Sequence, residues 1–475
     1  MSPAQHHVTF PGRLVMIGFG SIGQGVLPLL LRHIGMDPAR ITIVTAEERG
    51  AAVAEEYGAN FMVVPLTRAN YRKVLAPLLA AGDFLLNLSV EVSSLALIEL
   101  ARESGALYLD TCIEPWPGGY TDPSLSPSLR SNYALRESAL KLRQQGPGAS
   151  GAPTAVLTHG ANPGLVSHFV KQALVNLARD AGMSVAVPKS RADWGALAQA
   201  LGVKVIHIAE RDTQVANIPK RPGEFVNTWS IDGFVSEGSQ PAELGWGSHE
   251  RHFPADGAHH EFGCDSAIWL SRPGASTRVR TWTPLEGPFH GFLITHGESI
   301  SISDYFTVRN GATVAYRPTV HYAYHPCDDA VLSVHELAGK NWNQQKTQRL
   351  MMDEIVTGID ELGVLLMGHK RGAYWYGSQL SCDEARALVP HNNATSLQVT
   401  VAVLAGVVWA IENPKAGIVE PDEMDFARML EICLPYLGTV VGACGDWTPL
   451  QDRGILFPED LDRDDPWQFK NFRVT

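Results

Sequence analysis

The segment Arg13–Gly35, "RLVMIGFGSIGQGVLPLLLRHIG", decides how this chain begins to fold. A short apolar run leads into a glycine-rich turn and then into an apolar pattern of helical length, which reads as strand, loop and helix. Within the turn, "GFGSIG" sets Gly18, Gly20 and Gly23 at the spacing G-x-G-x-x-G. The first glycine permits a tight turn, the second lets backbone approach a pyrophosphate, and the third lets helix and strand pack closely, so that the helix N-terminus faces phosphates. The hexapeptide alone is a weak signal. Its place after a strand and before a helix is what points to a bound dinucleotide.

The β-rich runs "ARITIVTAE" (39–47), "FMVVPL" (61–66), "DFLLNLSV" (83–90) and "ALYLDTC" (106–112) alternate with helical segments, and "TAVLTHGANPG" (154–164) adds one more strand running into a turn. That alternation predicts a doubly wound parallel sheet of the Rossmann type over residues 1–160, with a mobile loop at "QQGPGASGAP" (144–153). From 161 to 390 the texture changes to β-like runs rich in Trp, Tyr, Thr and His, among them "VKVIHIAERD" (203–212), "FVNTWSIDGFVSEG" (225–238) and "GFLITHGESISISDYFTV" (291–308). This predicts a second, mixed α+β domain over 161–390. Residues 391–475 are expected to form a helical segment packing back on the first domain, with one long helix from Ala394 stopped near Asn413–Pro414.

The 475 residues carry 50 acidic and 38 basic side chains, a net charge of −12. This disfavours nucleic acid and favours cationic ligands. The apolar run Thr400–Ile411 is too short for a membrane span, and the first residues lack the basic start and apolar core of a secretory signal, so a cytoplasmic protein without a membrane partner is expected. Six scattered cysteines without a CxxC suit reduced thiols. His321 and His325, close to Cys327, Asp328 and Asp329, lack catalytic-zinc spacing, and "GAHHEFGC" with His259, His260 and Cys264 reads as a surface loop; no metal ligand is assigned.

Where an acid usually ends the second strand of a dinucleotide fold to hold the ribose, this chain has Thr45 and Ala46. Glu47 or Glu48 reaching back would serve NAD, whereas Arg49 would suit a 2′-phosphate; NAD is the favoured reading. A second question is posed by Trp229 and Glu237 in "FVNTWSIDGFVSEG", with Glu210 in the nearby "HIAERD". Carboxylates near apolar surface need a cationic partner, and an indole face attracts cations, so a small organic cation satisfies both. The competing reading is an ordinary strand with Trp229 in the core and the acids in water.

Dense matches in "VMIGFGSIG", "NLSVEVSSL", "YLDTCIEPW", "HGANPGLVSHFVKQALVNLA", "IHIAERDTQ", "QPAELGWG", "TRVRTWTP", "RPTVHYAYHPCDDAVLS" and "GIDELGVLLMGH" mean that nearly the whole chain resembles the bacterial homospermidine synthases. The resemblance implies a saccharopine-reductase-like fold, in which the α+β domain is inserted and serves substrate binding, catalysis and dimerisation. It also implies a homodimer and a reaction that joins two putrescines, or spermidine and putrescine, with NAD reduced and reoxidised in each turnover. It implies that Trp229 offers its face to the cation and that Glu210 and Glu237 hold ammonium groups. It further implies that Asn162 sits near the nicotinamide, that His296 positions an amine or relays a proton, that Glu114 lies near the pocket entrance, and that Asp360 helps recruit the polycation further out. The cofactor set expected is Gly18, Gly20, Ser21, Ile22, Gly23, Thr45, Asn87, Ser89, Asp110, Thr111 and Asn162, with Thr45 departing from the family's acid.

The residue types suit that chemistry. Hydride leaves a carbon bearing nitrogen only when the nitrogen is neutral, so an imidazole of near-neutral pKa is expected to deprotonate one end of a diamine while carboxylates keep the other end charged. An aromatic, apolar pocket would protect the imine from water. Two alternatives remain at this level. A saccharopine-reductase-like NAD(P)-dependent dehydrogenase would want arginine forks for its carboxylate substrates. A non-catalytic polyamine sensor would hold NAD(H) only as a ligand.

Overall fold

The computed structural model describes residues 6–144, 151–183 and 186–474, so most of the expected loop at 144–153 lies outside the described residues. The opening segment forms strand β1 (Leu14–Ile17) and helix α1 (Ser21–His33). Strands β2 (Ile41–Thr45), β3 (Asn60–Val63), β4 (Phe84–Asn87), β5 (Leu107–Asp110) and β6 (Ala155–Val156) follow. They pair in parallel in the order β3-β2-β1-β4-β5-β6, and the short strand Ile418–Val419 continues beyond β6. Every residue of β1, β4 and β5 is buried, as helices on both faces of a parallel sheet require.

The strand order reverses between β1 and β4, and ligands of such sheets bind outside the carboxyl ends of the strands at that point. Gly18 follows β1 there with φ +83°, and a Cβ added to it would meet Leu88 O at 2.7 Å. The two loops at the reversal therefore approach as closely as backbones allow.

The second sheet is built around β7 (Val205–Asp212), β8 (Thr319–His325), β9 (Ile359–His369) and β10 (Gly372–Ser381). β7 pairs in parallel with β8 and antiparallel with β9, which pairs antiparallel with β10. Side chains alternate along β7, so Ile206, Ile208, Glu210 and Asp212 share one face. Ile206 and Ile208 join one core with Val320, Tyr322 and Tyr324 of β8, while Val205 and Ala209 pack on the other side with Trp375, Phe469 and Phe472. One face of β7 thus starts apolar and ends in two acids.

Three expectations need correction. The stretch 225–238 is not one β-like run: strand Glu224–Asn227 gives way to helix α2 (Ile231–Ser239), capped by Ser230, whose Oγ accepts from Gly233 N at 3.2 Å. Ile231, Gly233, Phe234, Glu237 and Gly238 are its buried residues, and that helical spacing with a serine cap outweighs β-like composition. In 291–308 the strand Gly287–Phe292 ends and helix α3 (Gly297–Tyr305) begins. "SISIS" mimics strand alternation, but Glu298 to Tyr305 are all buried, so no polar face betrays the helix.

The third correction concerns 391–475. Helix α4 (Ala394–Glu412) stops before Asn413–Pro414 as expected and lies against α1, with Asn392 Nδ2 donating to Gly25 O at 3.1 Å. Thr439–Gly445, however, is a strand that pairs with β10, and Arg473–Val474 pair with Arg278–Val279 of the second sheet. By length and composition α4 could cross a membrane, because residues 394–399 extend the apolar run, yet 83% of its most apolar window is buried inside the protein.

The two glycines of the first loop give contrasting outcomes. Gly18→Ala is strained in φ and meets backbone, so it is expected to cost about 1–3 kcal/mol of unfolding free energy. Gly20→Ala is expected to leave stability within about 0.5 kcal/mol, because an added Cβ there has nothing within 4 Å. Denaturant unfolding followed by circular dichroism separates the two.

Candidate active site

The carboxyl ends of β1, β2 and β4 open onto a cavity of about 350 Å³ lined by Gly18, Gly20, Ser21, Ile22, Gly23, Thr45 and Ser89. α1 starts without a side-chain cap and without an acid in its first turn, so its leading N–H groups are available to an anion. The open space beside Gly20 is what a pyrophosphate needs to approach the backbone. These features fit a dinucleotide. At the ribose end Thr45 and Ala46 are flanked by Glu47 and Arg49, an exposed pair 4.0 Å apart. Asn87 and Asp110 differ from expectation, for both are sealed from the cavity. Asn87 Oδ1 holds the turn through Ser89 N (3.2 Å) and Oγ (2.6 Å), and Asp110 accepts from Thr158 N (2.6 Å) and Tyr108 OH (2.8 Å). They shape the loops, not the cavity wall. Thr111 is half-buried beside Gly160.

A second cavity, of about 420 Å³, shares Val90, Glu91 and Pro117 with the first. Glu114, Asp232, Trp116, Tyr120 and Trp342 also line it, and among the described lining residues none is Lys or Arg. Glu114 is buried at the wall of this cavity. Burial, then the charge of Glu237, pushes its carboxyl up to about 8.

Between the sheets lies the cluster that gives the site its character. His296, the residue capping α3, is 5% exposed and carries a carboxylate on each ring nitrogen: Nε2 lies 3.0 Å from Glu237 Oε2 and Nδ1 lies 3.2 Å from Glu298 Oε1. Burial works against an imidazolium, but Glu298 and Glu237 outweigh it and raise His296 to about 10. The resting imidazole is a cation, not the neutral base that its residue type suggested. Its ring centroid lies 4.4 Å from that of Tyr322.

Tyr322 OH donates a short hydrogen bond to Glu210 Oε2, which also accepts from Asn162 Nδ2 at 2.8 Å. Burial nonetheless lifts Glu210 to about 7, so Glu210 is the group poised to exchange a proton near neutrality. Trp229 sits in the turn before α2, half-buried, its Nε1 donating to Tyr324 OH at 3.0 Å and its ring tilted against Phe234 at 5.5 Å. Tyr322 and Tyr324 stack at 5.1 Å and join the two halves of the cluster. Glu237 is buried on α2, with Cys112 Sγ 3.9 Å from Oε1.

Asn162, Glu210, Trp229, Glu237 and His296 are therefore brought together. Asp360 is not further out: it is fully buried on β9 directly opposite Asp212, and burial followed by Glu210 and Asp212 holds its carboxyl well above the usual range. An acid at the end of a long strand looks exposed until a second strand pairs with it. His260 also departs from the surface-loop reading, being buried and stacked on Tyr133 at 3.8 Å, whereas His259 is exposed. Glu298, Tyr322 and Tyr324 were missed; the two tyrosines were legible as alternate residues of "HYAYH", while Glu298 carried no signal beyond standing two residues after His296.

A parallel dinucleotide-type domain joined to a sheet-rich second domain is the architecture of the saccharopine dehydrogenase class. The "Saccharopine dehydrogenase NADP binding domain" model matches residues 14–156 and the "Saccharopine dehydrogenase C-terminal domain" model matches 160–446. The chain belongs, within that class, to the homospermidine synthases, a family of enzymes. It is 57% identical to homospermidine synthase of Blastochloris viridis, over 99% of both chains, and 53% identical to that of Mesorhizobium japonicum, over 98% of this chain and 96% of the relative. The crystal structure of homospermidine synthase from Legionella pneumophila in complex with NAD is 51% identical, covers 98% of each chain and superposes with a TM-score of 0.92.

The His296 clasp has a pH signature. A folded-state pKa raised to about 10 from 6.5 contributes stability that is full below 6.5 and lost as pH rises through 10. His296→Gln is expected to abolish that alkaline decline and to cost about 3–5 kcal/mol at neutral pH, since it strips a cation from two buried acids. Urea unfolding at pH 6.5, 8 and 9.5 checks both.

Proposed function

We propose that this chain catalyses the NAD-dependent transfer of an aminobutyl group, joining two putrescines into symmetric homospermidine with release of ammonia, or using spermidine as donor with release of 1,3-diaminopropane. The observation that carries the reading is a buried cluster of acids packed with Trp229, Tyr322 and Tyr324, beside the second cavity that adjoins the dinucleotide groove, in a chain so similar to homospermidine synthases along its whole length. NAD, when bound, accepts hydride and returns it in the same turnover, so that no net oxidation occurs; Gly18, Gly20, Ser21, Ile22, Gly23, Thr45 and Ser89 would hold it. A cytoplasmic homodimer belongs to the same proposal and rests on the family resemblance.

The chain's own groups divide the work by charge. A diamine enters with both ends protonated. Glu237 takes one ammonium, exchanging part of its contact with His296 for the substrate. Glu210 Oε2 accepts a proton from the other end, held in place by Asn162 and Tyr322, and so frees the nitrogen lone pair that hydride departure requires. Asn162, beside Glu210, orients the reacting carbon. Trp229 stabilises the cation by its π face, and the stacked tyrosines exclude the water that would hydrolyse an imine. Glu114 and the second cavity receive the incoming amine, with Asp232 adding negative charge. A pocket of this composition disfavours an amino-acid substrate, whose carboxylate would meet acids instead of arginine forks.

Purified protein incubated with NAD and putrescine is expected to yield homospermidine and ammonia by mass spectrometry without accumulating NADH. Stoichiometric NADH would mark an ordinary dehydrogenase, and binding without turnover would mark a sensor. Because a carboxyl raised to about 7 must lose its proton to act as base, kcat/KM should fall about tenfold per unit on the acid side of pH 7.

At Trp229 the cation–π role is tested by filling the space with and without a π face. Trp229→Phe is expected to retain more activity than Trp229→Leu by about 2- to 30-fold, with thermal melting used to establish that both fold. Equal activities would return Trp229 to a packing role.

A further inference from the structure

We infer that Glu298 is a positioning residue for this reaction: it fixes the ring orientation and the Nδ1 proton of His296, so that Nε2 is the atom that exchanges protons with substrate. The inference rests on the proposed diamine chemistry for its consequence, but its geometry stands on the ligand-free protein.

The two carboxylates on His296 are not equivalent. Glu237 comes from α2, whose Asp232 and Ser236 line the second cavity with Glu114, and also faces Cys112 at 3.9 Å, so it stands on the side from which the proposed substrate enters. Glu298 lies in the first turn of α3, behind the ring, and is 1% exposed. Its Oε1 accepts from His296 Nδ1, and its Oε2 has no hydrogen-bond partner among the described residues. A carboxylate that deep is costly unless a cation pairs with it, and its ion pair is with His296. The first turn of a helix favours an acid there, but that effect alone neither requires burial nor selects a histidine as neighbour. The groups facing His296 from every packed element are Glu237 from α2, Glu298 from α3, Glu210 from β7 and Tyr322 from β8, with Cys112 beyond Glu237.

The consequence follows when a substrate ammonium occupies Glu237. His296 then loses one anionic partner and keeps the other. Nδ1–H remains donated to Glu298, which is how a buried acid behind a catalytic imidazole selects its tautomer. The proton on Nε2 is free to pass to the departing nitrogen of the aminal: the N–H bond at Nε2 breaks with its electron pair staying on the ring, a new N–H bond forms on the departing nitrogen, and its C–N bond breaks with the pair leaving on ammonia or the displaced amine, while the lone pair of the remaining nitrogen closes the iminium. Without Glu298 the ring would be free to turn and to hold its single proton on the wrong nitrogen.

The test is a ¹⁵N-histidine NMR titration of the full-length protein, with the His296 resonances assigned by their loss in His296→Gln, followed by kinetics. In the unmodified protein, on the alkaline side of the titration, the remaining proton is expected on Nδ1; an Nε2–H tautomer would overturn the proposal without any variant at position 298. In Glu298→Gln the His296 pKa is expected to fall by more than one unit, kcat to fall about 10- to 1,000-fold with KM within about threefold, and the alkaline limb of kcat to move to lower pH. Glu298→Asp, which keeps the charge, is expected to recover at least part of both. An unshifted His296 titration in Glu298→Gln, or a loss of activity with an unchanged pH profile, would reduce Glu298 to a structural residue. Should the protein prove inactive on diamines, the NMR result still decides the proton's position, so the two readings fail separately.

Discussion

Negative charge held inside an apolar junction must be matched by something positive, and in this protein the match is one imidazolium clasped by two carboxylates. Glu237, His296 and Glu298 form a closed ionic unit where the two sheets meet. Other acids of the junction meet the same constraint differently: burial lifts Glu210 to about 7 and Glu114 to about 8, so that at neutrality Glu210 is divided between its two protonation states and Glu114 is mostly protonated. Under the proposed function the site meets a dication in two ways. Some of its acids would surrender protons as the cation arrives, and one would surrender a histidine contact. Such a pocket discriminates by charge before it discriminates by shape.

The junction is held by elements from distant parts of the chain. Asn393, capping α4, donates from Nδ2 to Thr228 O at 2.7 Å, immediately before Trp229, and to Met351 O at 3.1 Å. Gln214 Oε1 accepts from Ala394 N at 3.0 Å, while Gln214 N donates to Asp212 Oδ1 at 2.8 Å, two residues beyond Glu210. The N-terminus of α4 thus braces the indole turn and the end of β7 at once, while the same helix lies against α1 of the dinucleotide domain. At Gly164 (φ +126°) an added Cβ would fall 2.1 Å from Gly160 O, which is why the loop presenting Asn162 can fold so tightly on itself. Cofactor groove and acid pocket are rigidly referenced to each other by these contacts, and hydride transfer between a cofactor and a substrate needs that registration.

Much of the fold was written locally. The glycine spacing after β1, the apolar runs of β4 and β5 ahead of Asn87 and Asp110, and the two-residue alternation of β7 each depend on neighbours close in sequence, so they could be read from it. α2 and α3 were misread because their signals conflict: aromatic and β-branched residues suggest strand, while the helical periodicity is short in α2 and erased by all-round burial in α3. Of the site, Asn162, Glu210, Trp229, Glu237 and His296 were recognisable by residue type and by resemblance, but their charge states were not. An isolated histidine suggests a neutral base, and only two carboxylates arriving from separate helices make it a standing cation.

Sequence by itself determined the dinucleotide loop, the parallel first domain, the acidic bias and the family, because these rest on local patterns and on matches spread along the chain. Tertiary structure alone decided that Asp360 is buried opposite Asp212, that Asp110 holds the loop at Thr158 instead of lining the groove, that the last strands complete the second sheet, and that Glu237 reaches His296. Each of these depends on which distant segments become neighbours. Burial and charge pairing are properties of such neighbours in space, and they set the pKa values on which the chemistry turns.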